Sequence, residues 1–509
     1  MNINNKLYKT SSVLTVVLLF FWIAITSLLF YLYISSRYLN EYREYSNADC
    51  ALQFFHGNNP FSAEGQPQSI YLYGPLFPWI SSILYSILPI SDILILMRIL
   101  SVLFTIGSCL IVWKELKEET FITRTIAVCI TSVSGWSVVS LSAFPNSMGT
   151  FFFVLSMYII KRTSNSKGLI WTSLLTATTF FIKQYYIAIL APVIIFLFIK
   201  SRNLLFRFIV IFTIVFIIET LVCYFTFPLY FEYTFTHHIH MRFGKSFAHL
   251  YKQLEVISTI YFPLFAILIY KIYKQIKKSD FKFDTVQYTN ISIYFLALFI
   301  MSVVFIRLGE HHGAYLTYFY QLAIIPLVIC TFNNFNRCTI PVKRYIQLAV
   351  VIITLIIPLG NSIASINNIK VNLENWNRTY KELDSYPPKK VLILTPVLNH
   401  YAYKHNLFIA NTGQTEYLPT LVSSKFKGAN KKCIQGSLYY DSIQTCISKR
   451  QFDVIYNDIN SFIKNEEIKK NYTLIDSIEL DFDIFNNSNS IFKSFTIFKW
   501  IKKNDKILI

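Results

Sequence analysis

The first residues that could do chemistry are two carboxylates, Glu44 and Asp49, which follow the first apolar segment of the chain. A carboxylate at a membrane surface can act as a general base and remove a proton from an acceptor hydroxyl. On a single helix, side chains five residues apart diverge by roughly 140°, so Glu44 and Asp49 are not expected to face one site together. The alternative interpretation is that both acids are solvated in a polar loop.

Two histidine-rich stretches could contact a substrate. His311 and His312 precede Tyr315 at the start of an apolar segment, where polar groups and aromatic rings could line a substrate pocket. An interfacial aromatic belt is the alternative there. The stretch His237–His240 is either solvated or in contact with substrate. Adjacent histidines point apart and no carboxylate completes a metal-binding helix face, so no metal and no cofactor are predicted.

The elements that must position these residues are membrane helices. The chain has 509 residues, of which 54% are hydrophobic and only 15% charged. Apolar runs of about 20 residues, the length that crosses a bilayer, recur from Ser12 to Ser362. A signal peptide would give one such run and not eleven. The net charge of +19 could indicate nucleic-acid binding. The basic residues lie between the apolar runs, however, and are better explained by membrane topology.

We predict eleven spans and a juxtamembrane helix at Pro75–Ile90, whose three prolines argue against a twelfth span. The predicted spans are Ser12–Ile34, Ile93–Trp113, Ile122–Ser142, Met148–Ile160, Leu169–Ile182, Ile187–Ile199, Phe208–Phe227, Ile257–Tyr270, Ile291–Ile306, Tyr315–Thr331 and Tyr345–Ile363.

The positive-inside rule then orients the chain. With a cytoplasmic N-terminus, about 19 Lys and Arg of the membrane part fall on the inner side and about 8 on the outer side. The outer side receives the first loop, residues 35–92, together with Arg98, Lys183, Arg242 and Arg307. Charges at a membrane edge favour a functional role, although a lysine there can also snorkel to the surface.

Residues 364–509 are more polar and predict a small extracytoplasmic α/β domain after the membrane domain of residues 1–363. An amphipathic helix is predicted over Ile366–Tyr386, and Cys433 and Cys446 could form a disulfide in an oxidising compartment. The predicted strands are Val391–Leu394, Leu407–Ala410, Phe452–Tyr456, Tyr472–Leu480 and Phe492–Trp500.

The order of these features resembles the GT-C membrane glycosyltransferases, such as the aminoarabinose transferases and the protein O-mannosyltransferases. In that family an acid follows the first span, and a Gly lies some thirteen to fifteen residues later. A Tyr-Gly-Pro or Lys-Pro-Pro element then opens a juxtamembrane helix. Glu44, Gly57 and Tyr73-Gly74-Pro75 match this order. The later matches are Arg98 in the next span, the turn Phe144-Pro145-Asn146-Ser147, and Ile182-Lys183-Gln184 after the fifth span.

The resemblance implies a role for each matched residue. The acceptor base would be Glu44 or Asp49, because the family usually has Asp where the spacing here selects Glu44. Lys183 and Arg98, with Arg242 and Arg307, would hold the phosphate of a polyprenyl-phosphate sugar. Asn146 stands where the family often has Asp and cannot take a proton. The remaining substrate contacts would be Tyr73, Gln184, His311, His312 and Tyr315.

The resemblance therefore implies a glycosyltransferase of a bacterial inner membrane. It would transfer one sugar, with inversion, from a polyprenyl phosphate to an envelope acceptor such as lipopolysaccharide or O-antigen. A polysaccharide polymerase or a lipid-linked oligosaccharide transporter is the alternative class. A transporter should show repeated halves with broken helices, whereas no internal repeat is found and Glu219 is the only acid well inside a predicted span.

Overall fold

The structure is a computed structural model of the whole chain. The residues it describes are 2–35, 44–62, 71, 73–135, 142–163, 166–232, 234, 264, 266, 267, 269, 324–333, 347–352, 373–385, 390–398, 401–402, 408–409, 445–458, 465–481 and 494–503.

The first part of the chain is helical, with breaks close to those predicted. The helices are α1 (Asn2–Ser35), α2 (Glu44–Phe55), α3 (Leu76–Ile87), α4 (Ile93–Glu115), α5 (Phe121–Gly135), α6 (Asn146–Arg162), α7 (Ser166–Ile182), a 3-10 helix at Gln184–Ile189, α8 (Leu190–Lys200) and α9 (Arg202–Thr226).

Three helices within the described ranges are long and apolar enough to cross a membrane, namely α1 through Val13–Leu32, α4 and α9. The predicted spans after Phe227 lie largely outside the described residues, so the total of eleven stays a prediction. Helix α3 has twelve residues and is about 18 Å long, too short for a hydrocarbon core of about 30 Å. This length agrees with a juxtamembrane helix.

Local sequence explains where several helices begin. Asp92 precedes α4, and its side chain accepts a hydrogen bond of 2.9 Å from the backbone N–H of Leu94. Ser201 caps α9 in the same way through Leu204. Pro75 and Pro145 stand directly before α3 and α6, where the missing N–H leaves no helical hydrogen bond unmade.

The helices pack around an apolar core. Helix α6 lies between α4 and α7, and α7 packs against α9. Helix α9 leaves large apolar side chains exposed, including Ile218, Val222 and Phe225. Such a face suits lipid, which is as apolar as the side chains themselves.

The C-terminal residues form one mixed sheet. Its strands are β1 (Val391–Ile393), β2 (Phe408–Ile409), β3 (Val454–Asp458), β4 (Tyr472–Asp481) and β5 (Ser494–Lys502), in the order β2-β1-β3-β5-β4. Strand β1 is parallel to β2 and β3, and β5 is antiparallel to β3 and β4. The five strands lie at the five predicted positions, whereas the boundary of a separate domain at residue 364 stays a prediction.

One face of this sheet packs toward α2. Ile393 and Tyr456 belong to the same buried apolar cluster as Tyr45 and Leu52 of α2 and Trp376. Trp376 lies on a helix over residues 373–384, within the predicted amphipathic segment. The sheet and the first-loop helix therefore share a core.

Candidate functional site

Helix α2 is buried all around its circumference. Every residue from Glu44 to Gln53 is buried, including Glu44, Asn47 and Asp49. The expected divergence of Glu44 and Asp49 therefore does not leave one of them in solvent, because protein covers the helix on all sides. Buried polar groups need partners, so their contacts define the site.

Glu44 and Arg98 form a buried ion pair, which we call the Glu44 site together with the backbone N–H of Ala143. Arg98 Nε donates to Glu44 Oε1 at 2.8 Å, and Arg98 Nη2 donates to Glu44 Oε2 at 2.5 Å. The Ala143 N–H donates to Glu44 Oε1 at 2.9 Å. Both side chains are fully buried. The two parallel hydrogen bonds fix the guanidinium and the carboxylate in one plane.

Helix α4 also positions the backbone that completes this site. Ser101, one turn after Arg98, donates to the carbonyls of Ser142 and Phe144 at 2.9 and 3.2 Å. These contacts hold the residues on both sides of Ala143, so its N–H points at Glu44. The Glu44 site thus joins α2, α4 and the segment before α6.

Lys183, Asn146 and Tyr73 form a second buried group, which we call the Lys183 site. Lys183 follows α7, and its ammonium donates to Asn146 Oδ1 at 3.2 Å. The same ammonium lies over the ring of Tyr73, 4.3 Å from the ring centre. Tyr186 donates from its hydroxyl to the Asn146 carbonyl at 3.0 Å and so fixes the start of α6. Lys183 is 1% exposed.

Close packing at Gly74 places Tyr73 on Lys183. A Cβ atom on Gly74 would overlap the backbone carbonyl of Phe181, near the end of α7. Only a glycine allows the two backbones to approach this closely. The Tyr-Gly-Pro element is therefore fixed against the residues that lead into Lys183.

Tyr71 connects α2 to the Lys183 site. Its hydroxyl donates to Asn47 Oδ1 at 2.6 Å, and its ring meets the ring of Tyr73 edge-on at 5.7 Å. Burial, followed by the nearby Cys50, Tyr73 and Tyr230, raises the pKa of Tyr71. Burial, followed by the charge of Asp49, raises the pKa of the Cys50 thiol. Both groups therefore stay protonated at neutral pH.

No family model matches the chain, and no curated protein matches it. Among solved structures, its fold is similar to that of ArnT from Cupriavidus metallidurans bound to undecaprenyl phosphate. The TM-score is 0.60 at 11% identity, over 94% of this chain and 97% of that chain. This chain shares the fold of ArnT. The apo state of ArnT gives a TM-score of 0.59 at 10% identity, with the same coverage. The predicted resemblance is thus confirmed at the level of fold.

In this ArnT-like fold, the predicted site residues fall into three sets. Glu44 contacts Arg98, while Lys183 contacts Asn146 and Tyr73. Asp49 is buried on α2, and Gln184 is half-buried at the start of the 3-10 helix. The predicted residues outside the described part of the chain are Arg242, Arg307, His311, His312 and Tyr315. In the part that is described, no three His, Cys, Asp or Glu side chains are grouped to hold a metal ion.

Several structural members of the site were not predicted from sequence. Asn47, Tyr71, Tyr186 and the Ala143 N–H each contact a predicted residue or its helix. Tyr71 lies two residues before Tyr73, and this aromatic spacing was a usable signal. A backbone N–H carries no signal in the sequence, because every residue type except proline has one.

Proposed function

We propose that this chain is an integral membrane glycosyltransferase that uses a polyprenyl-phosphate-linked sugar. Its acceptor would be an envelope glycan or lipid, of the lipopolysaccharide or O-antigen type, at the outer face of a bacterial inner membrane. The observation that carries the proposal is the likeness over 94% of the chain to ArnT, solved with undecaprenyl phosphate. The contacts of Glu44, Arg98 and Lys183 described above support the roles proposed below for individual residues.

The proposed orientation has a cytoplasmic N-terminus and an extracytoplasmic part from residue 364 onward. The charge bias of the loops supports this orientation. The packing of the C-terminal sheet toward α2 also fits, because the first loop and the sheet would then lie on the same side of the membrane.

We assign the base role to Asp49 and a positioning role to Glu44. Both oxygens of Glu44 already accept hydrogen bonds, two from Arg98 and one from Ala143, so removing a substrate proton would disrupt the ion pair. Asp49 lies on the same buried helix. Inverting transfer by direct displacement needs one base and a stabilised leaving group, with no covalent intermediate.

We assign the donor phosphate to Lys183. Its ammonium contacts an amide oxygen and an aromatic ring, and a phosphate oxygen could replace the amide oxygen as hydrogen-bond acceptor. Asn146 and Gln184 would border the phosphate, whereas Arg98 would act through Glu44. Arg242 and Arg307 remain further proposed phosphate contacts, and His311, His312 and Tyr315 remain proposed sugar contacts.

A transfer assay tests this proposal. The full chain in nanodiscs is given polyprenyl-phosphate hexoses and pentoses, with membranes of a strain lacking the protein as the acceptor source. We expect Asp49→Asn to lower the turnover by about 10²–10⁴-fold, the usual contribution of a general base. The matched control is Asp92→Asn, because asparagine caps a helix as well as aspartate does and the turnover should stay unchanged.

Two outcomes would contradict the proposal. Full turnover by Asp49→Asn would remove the base assignment. Movement of lipid-linked oligosaccharide across the bilayer without a new glycosidic bond would instead indicate a transporter.

A further inference from the structure

Two polar residues, Thr395 and Asp458, lie at the carboxyl edge of the C-terminal sheet and play no part in the sites above. Thr395 follows β1 and Asp458 ends β3. In this parallel pair Ile393 lies opposite Tyr456, and the Leu394 N–H donates to the Tyr456 carbonyl at 2.7 Å. The same register places Thr395 opposite Asp458, across a strand spacing of about 4.8 Å.

Thr395 and Asp458 belong to the face of the sheet that packs toward α2. Side chains alternate between the two faces of a strand, so Thr395 shares a face with Ile393, and Asp458 with Tyr456. Ile393 and Tyr456 lie in the apolar cluster that includes Leu52 of α2. The pair therefore points toward the helix that carries Asp49.

The hydroxyl of Thr395 is a buried polar group that needs a hydrogen-bond partner. Thr395 is fully buried, and its Oγ1 has no hydrogen-bond partner among the described residues. A buried hydroxyl without a hydrogen-bond partner is destabilising, so one at a sheet edge favours a ligand that supplies the partner. The carboxyl ends of parallel strands are where α/β sheets bind ligands.

The backbone after Thr395 brings this edge to α2. Leu398 N–H donates to the Thr395 carbonyl at 3.2 Å and closes the short 3-10 turn Pro396–Leu398. That turn contacts α2 directly. Any molecule held at Thr395 would therefore lie beside the first-loop helix.

We propose that Thr395 and Asp458 bind hydroxyl groups of the acceptor sugar, an inference that rests on the proposed glycosyltransferase function. A carboxylate accepts hydrogen bonds from sugar hydroxyls, and a threonine hydroxyl both donates and accepts. Neither Thr395 nor Asp458 supplies a cation, so this edge suits an uncharged sugar better than the donor phosphate. The sheet then acts as the acceptor side of the active site.

Saturation-transfer NMR with the full chain in nanodiscs tests the proposal. The probes are methyl glycosides of glucose, galactose, mannose and N-acetylglucosamine. We expect at least one probe to bind, and both Thr395→Val and Asp458→Asn to lower its signal at least about fivefold. Thr395→Ser, which keeps the hydroxyl, should retain binding. The control is Thr379→Val, a buried threonine whose hydroxyl already donates to Asn375 at 2.9 Å.

Equal signals for wild type, Thr395→Val and Asp458→Asn would overturn the proposal, as would the absence of binding by every probe. Undecaprenyl phosphate binding is measured on the same samples and should not change in these variants. If the wild type fails to bind undecaprenyl phosphate, the proposed donor is wrong, while the glycoside result still decides the sheet-edge site.

Discussion

Arg98 and Lys183 are both buried basic residues near α2, but their surroundings differ. Arg98 is bound by both oxygens of Glu44, in a geometry that joins a full positive charge to a full negative charge. Lys183 contacts an amide oxygen and the face of a tyrosine ring. Each of these two contacts is weaker than a bidentate ion pair and easier to exchange.

The difference indicates how the two residues divide their work. The Glu44 site joins three chain segments, so we expect it to stabilise the fold. The Lys183 site holds a cation where contacts can be exchanged for those of an anionic ligand. We therefore expect a buried basic residue to stabilise the fold at Arg98 and to bind an anionic ligand at Lys183. Four single substitutions and one double variant test this division.

The largest effect is expected for Glu44→Gln. It leaves the Arg98 charge buried without its carboxylate, which should lower the free energy of unfolding by about 3–5 kcal/mol. Thermal melts in one detergent measure this loss. Asp453→Asn is the control, because Asp453 and its ion-pair partner Lys390 are both about half exposed and can return to water. Turnover per folded molecule should fall less in Glu44→Gln than in Asp49→Asn, and an equally large loss would make Glu44 a catalytic residue.

The double variant Glu44→Leu with Arg98→Met sharpens that result. It removes both charges, so it should be less destabilised than Glu44→Gln alone. A double variant that is less stable than the single one would show that the pair contributes packing more than charge compensation.

Lys183→Met comes next. Removing a positioned donor that stabilises developing charge should lower turnover by about 10²–10³-fold with little loss of stability. Lys200→Met is the control, since the Lys200 ammonium likewise donates to an uncharged oxygen, the Thr163 carbonyl at 2.6 Å, and lies near an aromatic ring at the far end of α8. Unchanged turnover in Lys183→Met would end the distinction drawn between the two sites.

Gly74→Ala should have an intermediate effect. The added methyl meets the Phe181 carbonyl, so the backbone must move, at an expected cost of about 1–3 kcal/mol. Gly57→Ala is the contrast. An added methyl there meets no atom within 4 Å, so the only cost is the positive φ of 78°, which alanine adopts less readily than glycine. Thermal melts of the two variants separate overlap from backbone preference, and equal losses would contradict the packing argument.

The smallest effect is expected at Tyr73. Tyr73→Leu removes the ring beneath the Lys183 ammonium, an interaction of about 0.5–2 kcal/mol, and should raise the KM for the donor by a few fold up to about 30-fold. Tyr73→Phe keeps the ring and should behave like the wild type. If Tyr73→Phe falls as far as Tyr73→Leu, the hydroxyl is the important group.

Apolar length predicts the helices well. The predicted span Ile93–Trp113 and the observed helix Ile93–Glu115 begin at the same residue, because Asp92 marks the cap and the apolar run defines the rest. The parallel strands β1 and β3 are likewise visible as short continuous apolar runs. The 3-10 helix at Gln184–Ile189 was not predicted, since its apolar residues look like the start of the next span.

The sequence indicates which residues matter more readily than it indicates their partners. Glu44, Arg98, Lys183 and Asn146 can each be chosen by order along the chain. The packing of α2, α4, α6 and α7 decides that Glu44 pairs with Arg98 and that Lys183 pairs with Asn146. No local sequence pattern encodes this packing. The burial of α2 on all sides was missed for the same reason, because its polar residues look solvated in isolation.

The contacts of Glu44 also bear on how the chain is assembled. Glu44 bonds to residues 54 and 99 positions further along the chain. During synthesis, Arg98 therefore emerges near the beginning of α4 when the carboxylate that neutralises it is already made. The backbone of Ala143 arrives later and completes the coordination. All hydrogen bonds of Glu44 can therefore form only after the first loop, the start of α4 and the turn before α6 have reached the same side of the membrane.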